Sequence, residues 1–128
     1  VCSSDLGGRR RLVGAADLTT RLQLGPADWV VCLEVAEHIP REHERRFLAN
    51  LLRHAQRGLV LSWSNNEGGN GHVNLRSNEW VVAAMERHGF DHDPEAQAAL
   101  RKGISDIHWY RETSGWLRRW AGTASTTT

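Results

Sequence analysis

DWVVCLEVAEHIPREHERRFLANLLRHAQRGLVLSWSNNEGGNGHVN, residues Asp28 to Asn74, holds two apolar runs separated by an amphipathic one. Trp29-Val30-Val31-Cys32-Leu33 is apolar at every position and rich in β-formers, the pattern of a strand buried on both faces. Pro40 suits the first turn of a helix, where its missing N–H is not needed. From Glu42 to Ala55, residues Phe47, Leu48, Leu51, Leu52 and Ala55 recur at helical spacing and form one apolar stripe. Gly58 stands where a left-handed helix cap is expected, and Leu59-Val60-Leu61-Ser62-Trp63 reads as a second strand. Strand, helix and strand with short joints predict a parallel βαβ unit.

In an open parallel sheet, ligands bind beyond the carboxyl ends of the strands. Here those ends carry Glu34-Val35-Ala36-Glu37-His38 and Ser64-Asn65-Asn66-Glu67-Gly68-Gly69-Asn70-Gly71-His72. Acids and a histidine leave one strand, and a glycine-rich loop with a second histidine leaves the other. Polar chemistry is thus concentrated on one rim.

Composition narrows the function classes. The formal net charge is +1, so no dedicated nucleic-acid surface is indicated. Lys102 is the only lysine among sixteen basic residues, a bias that points to a GC-rich genome rather than to phosphate binding. No apolar run approaches the roughly 18 residues of a membrane span. Val1 to Leu6 can be read as the translation of a sequencing-adapter end, which leaves Cys32 as the one usable cysteine and no disulfide framework. A packed thiol in a strand and a cytoplasmic setting are the matching expectations. The expected organisation is an artefactual segment over 1–6, a partial domain over 7–119 and a disordered Thr/Ser-rich tail over 120–128.

The run DWVVCLEVAEHIP, followed by a helix, GLVLSWS and GGNGHVN, resembles the second half of a class I S-adenosylmethionine-dependent methyltransferase. The resemblance runs from about Leu12 to Arg119 and is strongest from Asp28 to Phe90. It implies an α/β, Rossmann-like methyltransferase sheet, present in part: third to seventh strands, with the first two absent. In that family the fourth strand lies between the first and the fifth, and the fifth is followed in the sheet by the seventh and then the sixth. The Trp29–Leu33 run matches the fourth strand and Leu59–Trp63 the fifth. Leu12 to Ala16 is a weak candidate for the third.

The resemblance also implies roles. Asp17 and Leu18 match positions beside the adenine of S-adenosylmethionine, although Asp17 could equally cap the turn that follows it. Glu34 and Val35 match positions that line the cofactor and acceptor cavity. His38 and His72 are candidates for a general base, since an unperturbed imidazole titrates near pH ~6.5. Glu37 is a candidate for binding the acceptor, and Asn74 could orient the acceptor or hold the loop. The alternative for each is structural, with His38 bonding backbone at the helix entry and Glu34 satisfying loop amides.

Glu34, Glu37 and His38 stand at i, i+3 and i+4, so a single helical turn would gather them on one side. With His72 from the next loop they could surround a divalent ion such as Mg, Mn or Zn, as in small-RNA 2′-O-methyltransferases. The later paired-histidine motif of those RNA enzymes is missing, which weighs against the ion. The glycine-rich cofactor loop after the first strand and the ribose-binding acid after the second are also missing. The chain is therefore expected to be a fragment, inactive alone, with an unidentified methyl acceptor. A noncatalytic or degenerate cofactor-binding module is the competing reading. A nucleotide-sugar epimerase fits less well, because no Tyr-x-x-x-Lys pair is present.

Toward the C-terminus, Ser77 is placed to N-cap a helix reaching about His88, with Val81, Val82 and Met85 inward and Gly89 as its stop. Phe90 then begins a short strand and Pro94–Lys102 a helix. A closing antiparallel strand is expected at either His108–Arg111 or Trp116–Arg119. The tryptophans are expected in core or rim packing.

Overall fold

The computed structural model describes residues 14–103 and 114–119. Strands β1 (Ala27–Cys32) and β2 (Ala55–Ser62) flank helix α1 (Glu44–His54). Helix α2 (Asn78–Glu86), strand β3 (Phe90–His92), helix α3 (Pro94–Gly103) and strand β4 (Ser114–Arg119) follow. The sheet order is β1-β2-β4-β3. β1 and β2 are parallel, whereas β4 runs antiparallel to both β2 and β3. This order is the one expected for the family's fourth, fifth, seventh and sixth strands. Gly14 to Asp17 lie outside any strand; Leu12 and Val13, the rest of the expected third strand, are beyond the described residues. So are the alternative closing segment His108–Arg111, the segment 1–6 and the tail from 120.

The core lies between the sheet and helices α1 and α2. Leu59 and Leu61 of β2 meet Phe47, Leu48 and Leu51 of α1 and Val81, Ala84 and Met85 of α2. Val82, expected inward, is only half-buried, and Ala84 takes its place. Trp63 is the largest buried side chain and stands edge-on between Phe47, at 6.0 Å, and Trp80, at 5.5 Å. Trp63 and Trp80 thus follow the packing expectation, with the Trp63 indole N–H donating to the Asn74 carbonyl at 2.8 Å.

Boundaries differ from the sequence reading where a single residue decides them. α1 begins at Glu44, after a short turn of tighter helix over Arg41–His43 that Pro40 opens. Gly58 does not cap the helix. The chain turns straight into β2 at Ala55, and Gly58 lies inside the strand opposite Trp29. There a Cβ would collide with the indole ring of Trp29, so the glycine serves close packing rather than a turn. Gly89, by contrast, does end α2, at φ +80°. Ser77 caps α2 by accepting the Trp80 N–H at 3.1 Å.

β1 is an edge strand among the described residues. Val31 at 53% exposure and Leu33 at 37% leave apolar surface there. A flat apolar edge of this kind invites pairing with another strand.

Candidate functional site

β1 and β2 run side by side in parallel, with Cys32 opposite Leu61, so their carboxyl ends open onto the same rim. Glu34, just past β1, adopts φ +56°, a left-handed conformation that a β-carbon disfavours. Its N–H donates to the Ser62 hydroxyl at the end of β2 at 2.8 Å, and that hydroxyl reaches back to Glu34 Oε1 at 3.4 Å. The sharp change of direction at Glu34 delivers Ala36–His38 as one turn of tight helix, with Ala36 and Glu37 wholly buried.

The second strand supplies the loop of 64–76. Ser64 and Asn66 fold its start, through Asn66 N–H to Ser64 Oγ at 3.2 Å and Gly68 N–H to Asn66 Oδ1 at 2.8 Å. At Gly69 a Cβ would overlap the His72 ring, so glycine there makes room for the imidazole. Gly71 has φ +76° and turns its carbonyl toward His38. The N–H groups of Val73 and Asn74 then both donate to the Glu37 carbonyl, at 2.9 and 3.1 Å. The loop is thereby stitched onto the Ala36–His38 turn.

The result is a compact polar cluster. One ligand-type atom each from Glu37, His38 and His72 lies within 4.8 Å of the others. The His38 and His72 rings meet edge to face at 5.1 Å. His38 Nδ1 is 2.9 Å from the Gly71 carbonyl and His72 Nδ1 is 3.0 Å from the Asn66 carbonyl. A carbonyl only accepts, so in the neutral imidazoles both Nδ1 atoms carry the proton and both Nε2 atoms hold a lone pair. His72 Nε2 faces Glu37 Oε1 at 3.9 Å. With the acids ionised, no donor among the described residues reaches either Glu37 oxygen, although both are buried. Burial is the first cause that raises the Glu34 carboxyl above its ordinary range; the charge of Glu37 and a hydrogen bond shared with it add to this.

Three of the four residues proposed to surround an ion form one ligand set, and Glu34 lies outside that set, beside Glu37. The i, i+3, i+4 argument needs one continuous helical turn from Glu34 to His38, and the left-handed backbone at Glu34 breaks it. Asn74 holds the loop through its side chain. It is fully buried, its Nδ2 donating to Glu44 at 2.8 Å and its Oδ1 accepting from Arg41 Nε at 3.3 Å. Val35 is half-buried against the core rather than open to the rim.

Asp17 takes the capping geometry. Its Oδ1 accepts the Thr19 hydroxyl at 2.7 Å and the Thr19 N–H at 2.9 Å, which together hold its carboxyl below the usual range. Leu18 packs partly against the core, and its carbonyl accepts from Asn50 Nδ2 at 3.0 Å.

No protein-family model matches the chain, and no curated protein does. Solved structures match in shape. Magnesium protoporphyrin IX methyltransferase (ChlM) from Synechocystis PCC 6803 with bound SAM superposes with a TM-score of 0.61 at 20% identity, over 88% of this chain and 48% of that one. The fold is that of a class I S-adenosylmethionine-dependent methyltransferase. The same enzyme with bound SAH gives a TM-score of 0.58 at 20% identity, over 81% of this chain and 49% of that one. LepI in complex with SAH and a substrate analogue gives 0.51 at 9% identity, over 82% and 29%. The chain spans about half the length of the methyltransferase structures that it matches. In this methyltransferase fold the rim that carries Glu34, Glu37, His38 and His72 is the carboxyl-end rim, where ligands of parallel sheets bind.

The residues that hold this rim together were missed by sequence reasoning. Ser62 sits at the end of an apolar run, and nothing in its neighbours marks it. Glu44 left a sign: it precedes Phe47, Leu48 and Leu51 by three, four and seven positions, on the same stripe of α1. An acid on a buried stripe requires a buried partner.

Proposed function

We propose that this chain is part of an enzyme that transfers the methyl group of S-adenosylmethionine to an acceptor bound over the β1–β2 rim. The observation that carries the reading is the Glu37–His38–His72 cluster at the carboxyl ends of two parallel strands in a methyltransferase fold. Bound there, the cofactor supplies an activated methyl group on a sulfonium. The acceptor's lone pair forms the new bond to carbon as the bond from carbon to sulfur breaks, and the acceptor's proton must leave. His38 suits that proton best. It is exposed, its Nδ1 proton is fixed on the Gly71 carbonyl, and its Nε2 lone pair is left to accept. His72, whose Nε2 stands 3.9 Å from Glu37 Oε1, is the second candidate. Leu18 remains our candidate for the adenine side, with Asp17 shaping its turn.

One observation favours an addition to this reading. The buried carboxylate of Glu37 and the two Nε2 lone pairs form a donor set, and a divalent cation fits such a set. Glu37, His38 and His72 would hold it, and it would supply an electrostatic anchor for an acceptor oxygen. We place the activity in the cytoplasm, in keeping with the buried Cys32 thiol. Among the described residues no helix is long and apolar enough to cross a membrane.

Calorimetry with S-adenosylhomocysteine on the 128-residue chain, and on a longer protein that contains it, tests the main reading. Binding to the longer protein, together with loss of methyl transfer in H38A, is the expected result. No binding to either would overturn it. Titration of Mn2+ into the chain and into H72A tests the cation, which absence of any metal-dependent heat in the wild type would remove.

A further inference from the structure

We infer that Glu44 is a positioning residue for the His38–His72 pair, acting through Asn74 and Arg76. The inference rests on the methyl-transfer reading only for the purpose that the positioning serves. Glu44 opens α1 on the side facing the loop of 64–76 and is 8% exposed. A carboxylate so deeply placed is stable only when its oxygens are met by donors. Three donors meet them. Arg76 Nη2 reaches Oε1 at 2.9 Å, Arg76 Nε reaches Oε2 at 2.9 Å, and Asn74 Nδ2 reaches Oε2 at 2.8 Å. The Arg76 guanidinium also lies 3.9 Å over the Trp80 ring, so its plane is fixed on a second side.

Asn74 carries this order to the site. Oδ1 accepts from Arg41, which can only donate, and Nδ2 donates to Glu44, which when ionised can only accept. The amide therefore has one orientation. Its backbone N–H is bound to the Glu37 carbonyl and its carbonyl to the Trp63 indole. Two residues earlier is His72, and one before that Gly71, whose carbonyl fixes the Nδ1 proton of His38. Glu44, Arg76 and Asn74 thus clamp the downstream end of the segment that holds both imidazoles in their Nδ1–H form. Apart from this clamp, neither Glu44 nor Arg76 has a part in the proposed chemistry.

The test reads the tautomers directly, in the full 128-residue chain labelled with 15N, from long-range proton–nitrogen spectra of the two imidazoles. With both imidazoles neutral, the wild type is expected to show protonated Nδ1 and bare Nε2 resonances for both His38 and His72. In E44Q both should move to the averaged positions of a solvated imidazole. R76K keeps the charge but loses the two-pronged contact, and should move them in the same direction; it stands in if E44Q does not fold. N50A removes a comparable set of hydrogen bonds elsewhere on α1, and should leave both imidazoles unmoved. Unchanged tautomers in folded E44Q or R76K would overturn the inference, as would an equal shift in N50A. No cofactor or acceptor enters the measurement. The clamp can therefore fail while methyl transfer stands, and the reverse.

Discussion

His72 Nε2 stands 3.9 Å from Glu37 Oε1, and in the neutral imidazole this is a lone pair facing a carboxylate. The contact is favourable only with a proton or a cation between the two atoms. Both sides are held in place by backbone, through the Asn66 carbonyl on one side and the Val73 and Asn74 N–H groups on the other. The fold therefore preserves an arrangement that its own residues leave incomplete, a common property of sites completed by a ligand.

Glu37→Gln should stabilise the ligand-free chain. A buried polar group without a partner costs about 1–3 kcal/mol, and the amide of glutamine brings a donor to face the His72 Nε2 lone pair. Urea unfolding at neutral pH should show a gain within that range, together with loss of any activity or metal binding that needs the carboxylate. A loss of stability instead would mean that the carboxylate is already well partnered in the folded chain.

Glu34 should make stability depend on pH in an unusual direction. Its folded carboxyl titrates above the ordinary value of 4.5, first because of burial and then because of Glu37. The folded state therefore binds the proton more tightly than the unfolded state. Stability then rises as pH falls from neutrality through the folded pKa, and levels off below the unfolded value. Asp17, held below its usual range by Thr19, acts with the opposite sign, so the difference between wild type and E34Q is the quantity to follow. That difference should favour the wild type increasingly on acidification. A flat difference would rule out a raised carboxyl. Glu34→Gly relieves the left-handed backbone as well, and should be more stable than E34Q by on the order of 1 kcal/mol.

How much of this was legible follows from what each signal measures. Unbroken apolar runs gave β1 and β2, and the 3.6-residue stripe gave α1, because burial leaves its period in the sequence. The rim followed from the parallel connection alone. Gly58 was misread because a glycine between a helix and a strand fits either a cap or a close approach, and only the Trp29 ring across the sheet distinguishes them. The four-residue ion set assumed helical geometry from Glu34, yet the chain reverses there at φ +56°, which residue type does not foretell for a glutamate. Asn74 could be read either as orienting an acceptor or as holding the loop, and its side chain does the latter. Its burial depends on Glu44, thirty positions earlier, and no local pattern encodes that distance.

Gly58→Ala should destabilise the sheet by about 1–3 kcal/mol, the usual range for forcing a methyl group into packed space. Gly58 is not at positive φ, so the loss comes from collision with the Trp29 ring rather than from the backbone. The double variant G58A/W29L should therefore recover most of the loss that G58A adds in the wild-type background. A double-mutant cycle by urea unfolding measures this coupling. Additive effects would show that Trp29 is not the obstacle.

Asn50 links α1 to the segment that carries Leu18. Its Oδ1 accepts the Leu22 N–H at 3.0 Å, and its Nδ2 donates to the carbonyls of Leu18 and Thr20 at 3.0 and 2.7 Å. One turn later His54 accepts the Leu24 N–H on Nε2 at 2.9 Å, its Nδ1 proton being held by the Asn50 carbonyl. The segment of 18–24 makes no regular structure, so these side chains hold it where a sheet would otherwise hold a strand. Asn50→Ala should cost about 1–3 kcal/mol and release this segment first. Hydrogen exchange should show the Leu22 amide losing protection far more than the amides of β2, which depend on the sheet. Equal loss in both would mean that Asn50 supports the whole domain rather than this segment. Selective loss at Leu22, with weakened S-adenosylhomocysteine binding in the longer protein, would tie the clamp to the side of the fold where we place the adenine.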